Sequence, residues 1–421
     1  MSRLPYPSPV QPLHGGAIGA FVYSGLGLVC AAGLFLLSPP GEGQARRLLS
    51  LLPAGSVPGV AVQGPGAEER GNPAARLLSG ELAAEHWELT ARFASGHFLF
   101  VGFLMTNIGF GDRNAAVSGY VIEPNGKKHR FHNGRREGEW ILSPDRLHIT
   151  VGASQLDLSH MPYRLQVDKQ GLRLHMRFRP QHRAVWAEEL APPGYMLDVL
   201  DVAAPIEGTF WVRGMDQAVQ LSGIATFTHS WTNDLGAKPL WRRIEFFSLH
   251  DECPFYAVDI TAPNGARTHW TVRRLKGKEG DIDESGALTL SLTNEAMRSA
   301  DSRYPVPGLL SFDAAGTKGQ VALESLVLRD DPLGRLPRLF RVFVSLLLNL
   351  RPLRIWVSSP FTLSLWSAGQ GTAHDSVSCQ GTGVTAITFL NPMPLPQMER
   401  PVRASEVCGA HWGVDQPACW P

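Results

Sequence analysis

An imidazole and an indole two residues apart on a β-strand point to the same side, because successive side chains alternate between faces. His229 and Trp231 have this spacing in the run 221–231, Leu-Ser-Gly-Ile-Ala-Thr-Phe-Thr-His-Ser-Trp, and Phe227 and Ala225 share their face. Such a wall is apolar with one titratable group. It suits an apolar ligand beside a ring that orients it or relays a proton. The other reading of the same residues is a satisfied polar pair in a barrel wall, since buried His and Trp commonly find partners.

The elements that must position these residues are strands. From 85 to 179 short alternating runs recur, at 86–93, 98–106, 117–122, 148–151, 163–167 and 172–178, with turn residues between them. In 172–178, Leu172, Leu174, Met176 and Phe178 alternate with Arg173, His175 and Arg177, which makes His175 a surface residue. A Pro/Ala/Gly-rich join at 191–205 precedes a second series at 208–212, 219–230, 240–249, 256–261, 268–275, 288–292 and 321–328. Each half holds a Pro-Asn-Gly hairpin signal, at 124–126 and 263–265, which hints at duplication, although this turn is common enough to recur by chance. Antiparallel halves of this length often close into barrels, which removes exposed edges and leaves an interior for a ligand.

With 421 residues, 44% hydrophobic and 18% charged, the chain holds two ordinary cores, and a formal charge of +1 gives no pull toward nucleic acid. Residues 17–37 are apolar and uncharged, long enough to cross a hydrocarbon core of roughly 30 Å. They predict a single-pass membrane anchor in preference to a cleaved signal peptide. The side is left open by Arg3 before the segment and Arg46 and Arg47 after it. Near 333–354 a run bounded by Arg335, Arg338, Arg351 and Arg354 predicts an amphipathic helical insertion, lying on an anionic membrane or capping the barrel. The expected division is 1–38 with the anchor, a flexible linker 39–84, a first β domain 85–205, a second 206–400 carrying the insertion, and a tail 401–421.

No phosphate loop, GxSxG elbow or HExxH motif is present. His129 and His132, three apart on a strand, face opposite ways, so no metal set is expected, nor any cofactor. Cys30 lies in the anchor, and Cys253, Cys379, Cys408 and Cys419 lack CxxC spacing. Cys408 and Cys419 either close a tail loop in an oxidising compartment or stay free.

The 223–231 run, Trp241, Phe246-Phe247, the 256–265 strand and turn, and the closing 381–389 segment resemble the lipocalin-like superfamily of carotenoid (hydroxyneurosporene) hydratases. The first half, Trp87 through 107–109 and 152–158, is more similar to the survival-factor branch of lipid carriers. The resemblance spans about 85–396. It implies an all-β chain of two lipocalin-like antiparallel β-barrel domains and an apolar lipid or isoprenoid ligand. The hydratases carry His-x-Trp on one strand and Tyr-x-Asp on a later one, matched by His229, Trp231 and Tyr256. Val258 stands where the Asp is expected, and Thr228 replaces the acid before His. The nearest carboxylate, Asp259, is one residue along, and a one-residue shift turns it away from the cavity unless a bulge corrects it.

Adding water to an isolated alkene needs an acid strong enough to protonate carbon, aromatic faces for the cation and a base for water. The resemblance makes His229 and Asp259 the catalytic candidates, with Trp231, Tyr256, Phe227 and Trp241 lining the ligand. Three readings follow: a membrane-anchored carrier of an apolar lipid or isoprenoid, a carotenoid hydratase-like enzyme, and a structural envelope protein with filled barrels. The carrier is favoured, because the anchor, the basic helix and the cavity-forming strands all point toward a membrane-derived ligand, and a hydratase lacks its acid at 258.

Overall fold

A strand covered on one side must alternate, and 172–178 does: Leu172, Leu174, Met176 and Phe178 are buried, while Arg173, His175 and Arg177 are exposed. The computed structural model describes residues 71–80, 83–107, 113–169, 171–181, 185–186, 195–232, 242–261, 265, 267–277, 280–287, 289–293, 304, 306–314, 316–331, 353–366 and 377–389. The regular structure of these residues is β throughout.

The first sheet contains β1 (Ala84–Phe93), β2 (Phe98–Thr106), β3 (Asn114–Ile122), β4 (Lys128–Arg135), β5 (Ile141–Leu142) and β6 (His148–Val151). It continues with β7 (Ser154–Asp157), β8 (Tyr163–Lys169), β9 (Leu172–Phe178), β10 (Val185–Trp186), β11 (Tyr195–Val212) and β12 (Val219–Thr232). The second contains β13 (Arg242–Phe247), β14 (Phe255–Thr261), β15 (Arg267–Gly277), β16 (Gly280–Ala287) and β17 (Thr289–Thr293). It ends with β18 (Leu309–Ala314), β19 (Thr317–Ala322), β20 (Ser325–Asp330), β21 (Leu353–Leu365) and β22 (Val377–Phe389). Both are antiparallel and curled, one a half-barrel and one nearly closed.

The two sheets share one topology. Their orders run β4-β3-β2-β1-β12-β11-β9 onward and β16-β15-β14-β13-β22-β21-β19 onward, so in each the last strand returns to pair with the first. The Pro-Asn-Gly turns do not mark this repeat. One joins β3 to β4 and the other joins β14 to β15, positions that do not correspond. Both turns place glycine at positive φ, Gly126 at 83° and Gly265 at 84°, which is why glycine sits there.

One face of each sheet encloses its own core, built on Trp87, Phe103 and Phe227 in the first and on Phe246, Phe255 and Phe389 in the second. The opposite faces meet in a third apolar layer containing Phe98, Phe100 and Leu197 from the first sheet and Phe247, Tyr256 and Trp356 from the second. This contact explains strands without alternation. β2 and β14 are buried along their whole length because both of their sides are covered. β12 begins with exposed positions and ends fully buried where it enters the layer.

Three features of the structure were not read from the sequence. The boundary at 205/206 falls inside β11, and β12 lies between β1 and β11, so His229 and Trp231 belong to the first sheet. At the end of the expected helix near 333–354, Leu353 and Arg354 are strand, the start of β21. A disulfide joins Cys253, in the turn after β13, to Cys379 in β22. The expected anchor 17–37, the insertion at 333–352 and the Cys408/Cys419 pair lie outside the described residues. Among those described, no helix is long and apolar enough to cross a membrane.

Candidate functional site

Pairing of β12 with β1 sets Trp87 opposite His229 and Glu85 opposite Trp231. All four side chains point to the inner face of the first sheet, with Phe227 deeper on the same face. His229 Nε2 lies 2.8 Å from Glu85 Oε1. The imidazole stacks on Trp87 at 4.7 Å and sits 5.0 Å from the Trp231 ring. The Arg76 guanidinium lies 4.7 Å over Trp231, and the Arg76 amide donates to the same Glu85 oxygen at 2.8 Å. Thus His229, Trp231 and Phe227 do share one face, but protein groups occupy it, as in the filled-wall reading. A void of about 20 Å³ beside Glu85 is room for a water molecule.

Tyr256 and Asp259 face opposite ways, because β14 pairs with β13 and β15 without a register shift. Asp259 points into the second sheet's own core side and is wholly buried, not outward to solvent. His269 Nδ1 lies 2.8 Å from it, Arg267 Nη2 3.1 Å and Arg242 Nη2 3.4 Å. Burial pushes its pKa up, but the His269 contact and the two guanidiniums outweigh burial and hold it below the usual carboxylate range. Asp259 is therefore an ionised anchor, poorly suited to give a proton to carbon. Trp241 lies outside the described residues.

Tyr256 points instead into the layer between the sheets, on the far side of β1 and β12 from His229. There it meets a polar cluster enclosed by aromatic rings. Its hydroxyl donates to Glu245 Oε1 at 2.8 Å. Arg243 Nη2 lies 2.8 Å from Glu88 Oε2 and 2.9 Å from Glu245 Oε2, and its Nη1 donates to Tyr195 Oη at 2.6 Å. Arg354 Nη1 donates to Glu88 Oε1 at 2.9 Å, and Nη2 lies 3.8 Å from Glu245. Its guanidinium lies 4.3 Å over Phe100 and 4.6 Å over Trp356. An arginine expected at a membrane surface or in solvent is thus buried between the sheets.

The two carboxyls differ because their partners differ. Burial works to raise both. For Glu88 the hydrogen-bonded Arg354 and Arg243 outweigh it and drive the pKa far down. For Glu245 burial prevails, reinforced by the Glu88 charge and opposed by Arg243, and the pKa is raised. Burial also raises Tyr256 and Tyr195. His86, on the same face of β1 as Glu88, is lowered to about 4 by burial, so it is neutral near pH 7.

Glu245 is the direct cross-strand partner of Val258. The layer therefore has a carboxyl beside Tyr256 after all, supplied from β13 in place of position 258. Sequence reasoning missed it, although Arg243 and Glu245 share one face of a strand otherwise rich in apolar residues, a sign that this face is enclosed. Among the described residues no group of three or more His, Cys, Asp or Glu is placed to hold a metal ion.

The chain resembles solved structures in fold. A protein assigned as AttH from Nitrosomonas europaea matches 80% of this chain and 99% of its own, with a TM-score of 0.53 at 12% identity. CghA, solved with Sch210972, matches 77% of this chain and 96% of its own, with 0.51 at 11% identity. Kievitone hydratase from Nectria haematococca matches 76% and 94%, with 0.48 at 12% identity. The first two likenesses, at such identities, concern the lipocalin-like fold alone. No family and no curated protein matches the sequence.

Proposed function

We propose that this chain binds an apolar, isoprenoid-type ligand where the aromatic faces of its two sheets meet, tethered to a membrane by residues 17–37. Phe100, Phe247, Tyr256 and Trp356 are buried against one another in that layer, and a methyl-rich or conjugated chain entering between the sheets would stack on these rings in place of their present contacts. A membrane is the natural source of such a ligand.

A second reading, hydration of an isoprenoid double bond, is favoured by one observation: Glu245, a buried carboxyl of raised pKa, accepts the Tyr256 hydroxyl at 2.8 Å across from Val258. In this scheme the Glu245 carboxylic acid protonates one alkene carbon, aromatic faces stabilise the cation on the other, and water adds there. Its excess proton returns to the Glu245 carboxylate. Glu88, tied to Arg243 and Arg354, stays ionised and offsets one of their two charges.

Organic extraction of the purified full chain, followed by mass spectrometry, tests the binding. An apolar unsaturated compound retained in stoichiometric amount supports both readings, and a partner compound heavier by one water, absent with Glu245→Gln, selects the enzyme. An empty, well-folded protein would favour filled barrels.

A further inference from the structure

Cys253 and Cys379 lie far apart in sequence and carry no redox motif, yet the second sheet brings them together. Cys253 follows β13 and is fully buried against the core of that sheet, and Cys379 in β22 packs on the same core. β22 pairs with β13, so the turn after β13 lies beside the early part of β22. The Cα atoms are 6.3 Å apart, within the span of roughly 4.4–6.8 Å that disulfides bridge. The bond closes a separation of 126 residues, linking the start of the second sheet to its last strand.

We infer that Cys253–Cys379 is a structural modification site, oxidised by thiol–disulfide exchange, and that the folded body therefore occupies an oxidising compartment. In the exchange each thiol loses a proton and the pair gives up two electrons, forming one S–S bond here. The disulfide of an oxidising thiol–disulfide exchange protein is reduced to two thiols. Reducing compartments rarely keep such a bond. Without CxxC spacing, and with Cys253 buried, the pair is a staple for the second sheet and has no turnover of its own. With 17–37 as the anchor, the body lies on the non-cytoplasmic side, the question that Arg3 against Arg46 and Arg47 leaves open.

The test uses the full chain in the cells that make it. Cells are quenched in acid, free thiols are blocked with N-ethylmaleimide under denaturing conditions, and peptides are mapped without reduction. The expected result is a linked Cys253–Cys379 peptide with neither residue alkylated; N-ethylmaleimide on both would overturn the inference. Dithiothreitol should also lower the melting temperature of the purified protein by roughly 5–10 °C, and should leave the Cys253→Ser/Cys379→Ser variant unchanged. A wild type that melts identically with and without dithiothreitol contradicts the staple even if the variant does not fold.

Discussion

Glu245 stands directly across from Val258 on the neighbouring strand and accepts the hydroxyl of Tyr256, so the layer between the sheets has an acid where the sequence shows an apolar residue. Glu245 and Glu88 share Arg243, yet burial keeps one inclined to hold its proton while the other is ionised. Replacing them should therefore have unequal effects. Glu245→Gln keeps the shape but replaces one of the two oxygens that face Tyr256 and Arg243 with an amide nitrogen, and should cost less than the loss of Glu88. Glu88→Gln leaves two buried guanidiniums poorly compensated, and should cost about 3–5 kcal/mol. Urea unfolding of both variants checks this, and equal losses would contradict the assignment.

His86 makes the fold acid-sensitive. Its folded pKa near 4 lies below the unfolded value, so the unfolded chain takes up the proton first. The stability it contributes is full above about pH 6.5 and is lost as pH falls toward 4, on the order of 3 kcal/mol in all. Glu88, also depressed, adds to the loss as pH falls through the carboxylate range. Glu245 acts oppositely, since its raised pKa gives stability that is lost as pH rises through the folded value. Melting temperature should fall between pH 6.5 and 4, and His86→Gln should flatten that decline.

Asp259→Asn tests whether that carboxylate is an anchor. Three cationic or imidazole partners converge on it in the second sheet's interior, so the variant should lose about 3–5 kcal/mol. Ligand occupancy of the protein that remains folded should be unchanged. Unaltered stability with lost product would restore Asp259 as a catalytic acid.

His229→Ala should act in the same structural way within the first sheet. It removes the ring stacked on Trp87 and leaves Glu85 without its imidazole partner, at about 2–4 kcal/mol. Chemical denaturation measures it.

The strand alternation of 172–178, the shared face of Phe227, His229 and Trp231, and the opposed faces of Tyr256 and Asp259 are all local consequences of a period of two, and all were legible in the sequence. Which strands pair was not. β12 returns to β1 across more than a hundred residues, and no local pattern records that closure. The same long-range packing hid Glu88 and Arg354. A charge on a strand reads as solvent-facing unless a second sheet is known to cover it, and Arg351-Pro352 obscured the strand period that buries Arg354 beside Trp356.

The most direct measurement compares the compounds extracted from wild-type protein and from Glu245→Gln, both full length and from the same cells. The proposal predicts an apolar isoprenoid-type compound in both preparations. If the chain is also a hydratase, a second compound heavier by one water appears with the wild type alone. Folded protein that yields no apolar compound in either preparation would contradict the binding site between the sheets.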